Sequence, residues 1–407
     1  MQGIGQAWLI LKLHGGGLAL GGVTAAQFLP ILVFGPYGGL IADRHDRRRL
    51  VLGTQVVGAV LALLLGVLTA TGDIRMWMVF AIAFVLGCAG AVDAPARQVF
   101  ATDMVPPALV TNAVSLNEVV MNASRVFGPA AGALVIVRYG VSVCFFVNAA
   151  TFIAPIVALL LVRPADMHRS ATAHPGPGQI REGLRYAWSA PLLRSLVLMA
   201  AAAAMVFNFA VALPLLAESV LHAGAGGYGA MVAAFGVGAL AGAFLAASDR
   251  APNGRRVQLL AVLTGVAVVT AAAMPTLGAE LAAMALTGLF SIWFISLANA
   301  VLQLRTRPAL RGRLMGLWAM ALPGTLPITG PIVGWIADGL GPREALGAGG
   351  VAVLITTALG WRALAADPRE PDPPVWSASG RFGDVANDAV EPGDEHRGAG
   401  RQISHRR

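Results

Sequence analysis

The chain has 407 residues, of which 57% are hydrophobic and 12% are charged. With a mean hydropathy of +0.70, this composition excludes a soluble globular domain and indicates an all-α polytopic membrane protein. The net charge of +8 would suggest a nucleic-acid partner in a soluble protein, but here the arginines lie in links between apolar segments and in the C-terminal tail. The charge therefore predicts membrane topology, with the lipid bilayer as a partner and no nucleic acid.

Apolar segments alternate with short polar links along the whole chain. The first segment, residues 4–13, would reach only ~15 Å as a helix, about half of the hydrocarbon thickness of a bilayer. We therefore expect a truncated first helix and a natural start roughly 20 to 40 residues upstream of Met1. The segments long enough to cross, numbered as predicted spans 2 to 12, are residues 18–42, 50–70, 76–96, 109–137, 141–162, 192–218, 228–247, 257–277, 280–304, 312–337 and 345–364.

The link between spans 2 and 3 carries the most distinctive motif, Asp43-Arg44-His45-Asp46-Arg47-Arg48-Arg49. So many arginines in a short link place it on the cytoplasmic side by the positive-inside rule. A purely topogenic loop would look the same, but an acid at a helix end followed by a basic turn would also serve as a latch between two moving helices. We predict a gating loop whose residues are Gly39, Asp43, Arg44, Arg47 and Arg48, together with Asp93 of span 4.

A similar pattern recurs after span 8, where Asp249-Arg250 is followed by Arg255-Arg256, so the chain looks duplicated. Between the two halves, residues 163–190 are rich in Pro, Gly, His and Arg and include an amphipathic stretch at 180–188. The predicted units are an N-terminal six-helix bundle with an incomplete first helix (1–162), a cytoplasmic linker with an amphipathic helix (163–190), a C-terminal six-helix bundle (191–366) and a disordered cytoplasmic tail (367–407).

Arginines follow the alternation that this count of spans requires. The predicted outer links hold only Arg75, Arg138 and Arg343, whereas clusters of arginines lie in four predicted inner links, those after spans 2, 6, 8 and 10. This asymmetry predicts a multi-pass protein of the inner or plasma membrane, with both termini of the full-length chain in the cytoplasm.

Pairs of small residues four positions apart let two membrane helices approach closely. Such pairs fall on spans 2, 5, 8 and 11, which are equivalent positions of the two halves, and a proline inside spans 5 and 11 loosens the backbone. We predict a helix-packing interface formed by Gly128, Pro129 and Gly132 of span 5 and by Gly330, Pro331 and Gly334 of span 11, although glycine is common in membrane helices and chance also produces some clustering. The small-residue pairs are Gly17 and Gly21, Gly35 and Gly39, Gly128 and Gly132, Gly238 and Gly242, Gly312 and Gly316, and Gly330 and Gly334.

Span 5 is far more polar than lipid tolerates. Glu118 and Arg125 lie two turns apart on one face of the predicted helix, with Asn122 one turn from each. Ionisable groups at this depth face a cavity or a partner and are candidates for function, while a structural ion pair is the alternative. We predict that these three residues take part in transport and proton coupling.

The sequence gives little support for functions other than transport. No His, Cys or carboxylate cluster has the spacing of metal ligands, and no Ser, His and Asp set converges in a short stretch. Lys12 is the only lysine, which leaves no P-loop lysine for an ATPase. We expect no metal site, no cofactor and no enzymatic activity.

The gating-loop motif resembles the signature of the major facilitator superfamily, which is Gly, three residues, Asp-Arg, two residues and Arg-Arg. Asp46 stands where that signature usually has glycine, a departure similar to the branch that contains the enterobactin exporter. The resemblance covers about residues 4–366. Further stretches similar to that branch are Asp93-Ala-Pro-Ala-Arg97-Gln98, Asn112-Ala113, Arg125-Val-Phe-Gly128-Pro129, Cys144-Phe-Phe-Val-Asn148 and Arg311-Gly312-Arg313-Leu-Met.

The resemblance implies a major facilitator fold of two six-helix bundles that rock about a central cavity, with spans 2, 5, 8 and 11 between them. Asp43 would lie at the N-terminal end of span 11, where the helix dipole favours a carboxylate, and Arg47 would pair with Asp93. Many proton-coupled drug antiporters carry an arginine inside span 4, whereas Arg97 lies near the end of that span. This departure counts against drug/proton antiport of that type.

These features together predict a monomeric secondary active exporter that works by alternating access and is driven by protons. The expected substrate is a small amphipathic or siderophore-like compound. A lipid flippase of the same fold and a membrane sensor that does not transport are the alternatives.

Overall fold

The computed structural model of the chain describes residues 1–106, 109–162, 188, 191–249, 252–306, 314–315, 318, 321 and 324–365. In these ranges all regular structure is helical. The helices are α1 Gln2–Lys12, α2 Gly17–Arg44, α3 Arg47–Thr71, α4 Met76–Asp103, α5 Val110–Tyr139, α6 Val141–Thr151, α7 Ile153–Leu161, α8 Pro191–Val206, α9 Phe209–Leu215, a π-helical turn Leu216–Val220, α10 Gly224–Ser248, α11 Gly254–Ala272, α12 Leu277–Arg305, α13 Leu326–Gly339, α14 Pro342–Leu359 and α15 Trp361–Ala365.

Eight helical segments of the described chain are long and apolar enough to cross a bilayer. They correspond to the predicted spans 2, 3, 4, 6, 7, 8, 9 and 10. Helix α5 is as long as the longest of them, but its N-terminal half carries the polar residues noted above, and only residues 127–139 form an apolar stretch. The polarity that makes span 5 a functional candidate thus also removes it from a count based on hydropathy.

Polar links end the helices where the sequence indicated. Asp46 caps α3 by accepting a hydrogen bond from the Arg49 N–H at 3.0 Å, and Asn253 caps α11 in the same way from Arg256 at 2.9 Å. These caps satisfy N–H groups that a helix start leaves without partners. The aspartate that departs from the family signature therefore has a structural role as a helix cap.

Predicted spans 4, 6, 7 and 12 differ in the structure, and span 12 is interrupted at Gly360. Span 4 continues through Pro95 as far as Asp103, because a proline inside a membrane helix is tolerated when neighbouring groups compensate for its missing N–H. Span 6 is interrupted at Phe152. Span 7 is broken at Phe207 and Asn208 and then runs through α9 into the π-helical turn.

The helices of the described chain pack into one compact unit within residues 1–368. Helix α2 packs against both α4 and α13, and α10 packs against both α12 and α5. Helices from the first and second halves of the chain are therefore in direct contact at α2 with α13 and at α5 with α10. The predicted amphipathic helix lies outside the described residues except for Trp188, which is helical and exposed, and the predicted tail also lies outside them.

Candidate transport site and gates

The start of α3 anchors three helices of the first half. Arg47 forms a 2.6 Å ion pair with Asp103 at the end of α4, whose side chain is 1% exposed. Arg48 donates hydrogen bonds to the carbonyl oxygens of Leu159 and Leu160 at 2.6 and 3.0 Å, and so caps the C-terminal end of α7. The basic residues of this loop therefore have specific partners, beyond what a topogenic role requires.

The expected pair of Arg47 with Asp93 was wrong. Asp93 is buried, accepts hydrogen bonds from Thr54 Oγ1 at 2.6 Å and Gln55 Nε2 at 3.2 Å, and pairs with Arg97 at 3.2 Å, one turn away on α4. Asp103 takes the place expected for Asp93 because α4 continues beyond residue 96, where span 4 was predicted to end. The sequence signal for Asp103 was an acid directly before the Met104-Val105-Pro106 break.

For three other residues of the predicted gating loop, the structure describes the backbone alone. Gly39, Asp43 and Arg44 belong to the last turns of α2, but their side chains lie outside what the structure describes. In the duplicated loop of the second half, Asp249 pairs with Arg256 of α11. An aspartate at the end of one helix thus contacts an arginine in the first turn of the next.

The polar residues predicted for transport lie on one continuous helix. Glu118, Asn122 and Arg125 belong to α5, and the unbroken helix keeps them within two turns on one face. Their side chains lie outside the described residues. Their role therefore stays a prediction.

Helices α2 and α13 approach so closely at their glycines that a side chain does not fit at these positions. A methyl group at Gly21 would overlap the carbonyl oxygen of Gly330, and one at Gly17 would overlap that of Gly334. The reverse substitution at Gly334 would overlap the Gly17 carbonyl oxygen. The small residues singled out in spans 2 and 11 thus lie face to face.

The other predicted small-residue pairs lie elsewhere. Along α5, Pro129 and Ala133 lie opposite Gly229 of α10, whereas Gly132 faces Ile4 of α1. The described atom nearest to a methyl group at Gly128 is the backbone nitrogen of Met1, at 3.5 Å.

Gly238 and Gly242 form a close contact within the second half of the chain. Both pack against the α12 backbone in the same half, at Ala285 and Leu289. A glycine pattern reveals a close helix contact but not which neighbour makes it.

An unpredicted aspartate closes one end of the contact between α2 and α13. Asp338, in the last turn of α13, accepts hydrogen bonds from the backbone N–H groups of Gly17 at 2.5 Å and Leu18 at 2.8 Å. These are the first N–H groups of α2, and no residue within α2 can satisfy them. A carboxylate from the second half of the chain thus caps a helix of the first half. The sequence offered no local signal, because the two partners are more than 300 residues apart.

The break in span 7 brings an amide and three aromatic rings together. Asn208 donates hydrogen bonds to the Ala204 carbonyl oxygen and to Thr329 Oγ1 of α13, both at 2.9 Å. The Phe209 ring lies 4.5 Å from the Phe235 ring of α10 and 5.8 Å from that of Phe207. Broken membrane helices expose backbone and side-chain polar groups and often mark substrate sites.

Two buried amides near this break keep hydrogen-bonding capacity to spare. The Asn208 Oδ1 atom and the Gln6 Nε2 atom have no partner among the described residues, and both side chains are buried. Gln6 lies on α1, which packs against α9. Among the described residues, no group of His, Cys, Asp and Glu could hold a metal ion. The Asn208 Oδ1 and Gln6 Nε2 atoms could each form one further hydrogen bond.

Comparisons with known proteins identify the family. Residues 1–371 match the model of the family described as transmembrane secretion effector. The chain is 29% identical to the multidrug efflux pump Tap of Mycolicibacterium fortuitum, over 82% of this chain and 84% of that protein. It is also 29% identical to the staphyloferrin A transporter of Staphylococcus aureus, but over only 42% of each chain.

A solved structure extends the comparison to the fold. The bacterial homologue of the human lysosomal transporter Spinster superposes with a TM-score of 0.70, at 14% identity, over 89% of this chain and 92% of that one. The predicted all-α major facilitator fold is thereby confirmed, and the family and fold are those of transporters of small molecules and not of enzymes. The chain therefore belongs to the transmembrane secretion effector family of the major facilitator superfamily and is a multi-pass membrane protein.

Proposed function

We propose that the protein is a secondary active exporter that moves small amphipathic compounds out of the cell by alternating access, driven by protons. The observation that carries the proposal is the contact of α2 with α13, which joins the two halves of the chain through facing glycines and the capping carboxylate of Asp338. A glycine contact separates without leaving large side chains unpacked, and the cap can form and break. Both properties suit an interface that opens in each cycle.

The arginine-rich loops indicate which end of this contact faces the cytoplasm and which faces outside. Arg47 and Arg48 follow the C-terminal end of α2. If they lie on the cytoplasmic side, the start of α2 lies on the outer side, because α2 crosses the bilayer. Asp338 then acts as an outer latch, and the arrangement described here is closed at the outer end of the α2 and α13 contact. The Asp43 loop is the matching candidate for the inner latch.

Two observations support a small amphipathic substrate. The names of the relatives point to drugs and to a siderophore as their substrates. In this chain, the spare hydrogen-bonding atoms of Gln6 and Asn208 lie on packed helices, and the phenylalanine cluster adjoins Asn208. An apolar surface with few polar groups is typical of sites for amphipathic compounds. We propose that the protein works as a monomer, with each chain holding a complete site.

Everted membrane vesicles that contain the full chain test the export proposal, with ethidium and staphyloferrin A as probes. An imposed proton gradient, acidic inside, is expected to drive accumulation of at least one probe, and a protonophore is expected to abolish it. If neither probe accumulates while a fluorescent phospholipid changes leaflet, the protein is a flippase and the export proposal fails.

Replacing Glu118 with glutamine is expected to make accumulation independent of the proton gradient, because glutamine keeps the shape of the side chain but cannot carry a proton. Arg125→Ala is expected to be more damaging, since it removes the proposed partner of a carboxylate in the membrane. Initial rates measured with and without the gradient check both effects. If Glu118→Gln responds to the gradient like the wild type, proton coupling resides elsewhere.

Replacing Asp338 with alanine is expected to expose the outer end of the contact, because the lost cap stabilises the closed arrangement by about 1 kcal/mol, a roughly five-fold change in population. The reporter is Ala337→Cys, a buried position beside Gly17, in a background that lacks Cys88 and Cys144. A maleimide that cannot cross the membrane should label the Ala337→Cys reporter from outside faster in the Asp338→Ala variant than in its parent.

Two controls separate the cap from unspecific effects on labelling. Asn caps helices almost as well as Asp, so Asp338→Asn should retain most of the protection. Asp73, an exposed residue of another outer link, should tolerate alanine without a change in labelling. Equal labelling rates for Asp338→Ala and the parent would rule out an outer latch.

A further inference from the structure

Helix α12 buries a carboxylic acid that the proposed mechanism does not use. Glu280 is 0% exposed, and none of the described residues donates a hydrogen bond to either of its carboxyl oxygens. A buried ionised carboxylate without a donor is strongly disfavoured. The packing around this side chain therefore favours the neutral acid.

One feature of the same site favours the ionised form instead. Glu280 lies in the first turn of α12, just after the capping residue Thr276, where the helix dipole stabilises negative charge. The Arg343 guanidinium, at the start of α14, donates to the Ala272 carbonyl oxygen at 3.3 Å and does not bond to the Glu280 carboxyl oxygens. Burial and the helix terminus thus act in opposite directions on one carboxyl group, which suits a group that both takes up and releases a proton.

Buried polar side chains continue from Glu280 along the interior of the second half. Thr287 and Ser291 are each 1% exposed, and their hydroxyl oxygens have no partner among the described residues. They follow Glu280 on one face of α12, because seven residues are nearly two turns and four more are about one. On the neighbouring helix α11, Gln258 is 4% exposed and its Nε2 atom also lacks a partner.

The hairpin of α11 and α12 brings Gln258 level with the row of buried polar side chains on α12. Gln258 and Ser291 lie the same number of residues from the connection between the two helices, so they occupy the same level of this antiparallel pair. These four side chains, here called the polar column, are Glu280, Thr287, Ser291 and Gln258. Isolated unsatisfied polar groups are rare inside proteins, and a column of them in a membrane protein is typical of a path for protons or water.

The other titratable groups of the packed helices lie away from the middle of the column. Tyr228 lies near the start of α10 and is buried, and Glu344 is exposed on α14. Arg194, Arg255 and Arg256 lie in the first turns of α8 and α11, and Arg305 ends α12. Among the described residues of these helices, Glu280 is therefore the one acid that is both buried and without a hydrogen-bond donor.

We propose that Glu280 is a proton-binding residue and that Thr287, Ser291 and Gln258 form the path along which its proton exchanges with the opposite end of the helix pair. No covalent step is involved: the proton binds to a carboxylate oxygen and leaves from it. The link of this site to export rests on the proposed function, whereas proton binding itself does not. The proposal adds a second protonatable site, in the C-terminal half, to Glu118 in the N-terminal half.

Infrared spectroscopy of the purified full-length protein tests proton binding without any substrate. The carbonyl stretch of a protonated carboxylic acid should appear and disappear as the pH is changed, and Glu280→Gln should remove one such band. Glu344→Gln is the matched control, because this neighbouring glutamate is exposed and its band should be distinct. Thr287→Val together with Ser291→Ala should keep the Glu280 band but slow its response to a pH jump. An unchanged set of bands in Glu280→Gln overturns the proposal.

A second variant covers the case in which Glu280→Gln does not fold. Glu280→Asp retains an acid on a shorter side chain, so the band should persist at a shifted frequency, and an unshifted band would also overturn the proposal. In everted vesicles, Glu280→Gln should lose the acceleration of ethidium uptake by a proton gradient. A normal acceleration excludes Glu280 from coupling. If the wild-type protein itself does not respond to the gradient, the proposed function fails, while the infrared result still decides whether Glu280 binds a proton.

Discussion

Arg47→Ala is expected to lower the free energy of unfolding by about 3 kcal/mol, at the lower end of the range for breaking a buried ion pair. The reason is that Asp103, with 1% of its side chain exposed, loses the guanidinium that lies 2.6 Å away. The midpoint of thermal unfolding in detergent should fall by about 3–4 °C for a chain of this length. Arg75→Ala is the matched control, because Arg75 is exposed in an outer link and should change the midpoint little.

A double variant separates the structural role of this pair from a role in gating. Replacing a buried ion pair by apolar side chains of similar size is often neutral or stabilising, so Arg47→Met combined with Asp103→Leu should recover most of the lost stability. If the pair also forms and breaks during the cycle, the stable double variant should still transport slowly. Normal transport by the double variant would show that the pair serves stability alone.

The pairing of Arg47 with Asp103 shows what local sequence patterns can and cannot specify. The motif correctly identified the loop between two helices, because charge and hydropathy are properties of neighbouring residues. The choice between Asp93 and Asp103 depended on whether α4 ends near residue 96 or continues for two more turns. That outcome is decided by packing against other helices, which compensates for Pro95 inside α4.

Contacts between residues far apart in the sequence could not be predicted from local sequence patterns, for a related reason. Gly17, Gly21, Gly330 and Gly334 were recognisable as contact residues because each forms a small-residue pair on its own helix. Asp338 was not, since an aspartate near a helix end is common and its partners are backbone N–H groups in the other half. Glu280 was likewise predicted only as the beginning of a span. Its burial results from the packing of α12 against α10 and α11.

Gly21→Ala is expected to reduce transport by about ten-fold or more, since forcing an extra methyl group into a tight contact costs about 1–3 kcal/mol. The added methyl group would overlap the carbonyl oxygen of Gly330 and lie 2.9 Å from the Cα atom of Pro331. Both obstacles are backbone atoms, so no rotation of a side chain relieves the overlap, and α2 has to move away from α13.

The consequence of this substitution is specific to one state of the proposed cycle. The methyl group destabilises the arrangement in which α2 and α13 touch and leaves an arrangement with separated helices unaffected, so the outer end should remain open. Ala337→Cys should then react faster with maleimide from outside while transport of ethidium is lost. Gly53→Ala on α3 is the matched control, because a methyl group there meets no atom within 4 Å, and both properties should match those of the parent. If Gly21→Ala transports at the normal rate and its reporter stays protected, α2 and α13 do not need to touch during transport. The alternating-access proposal would then lose the contact on which it rests.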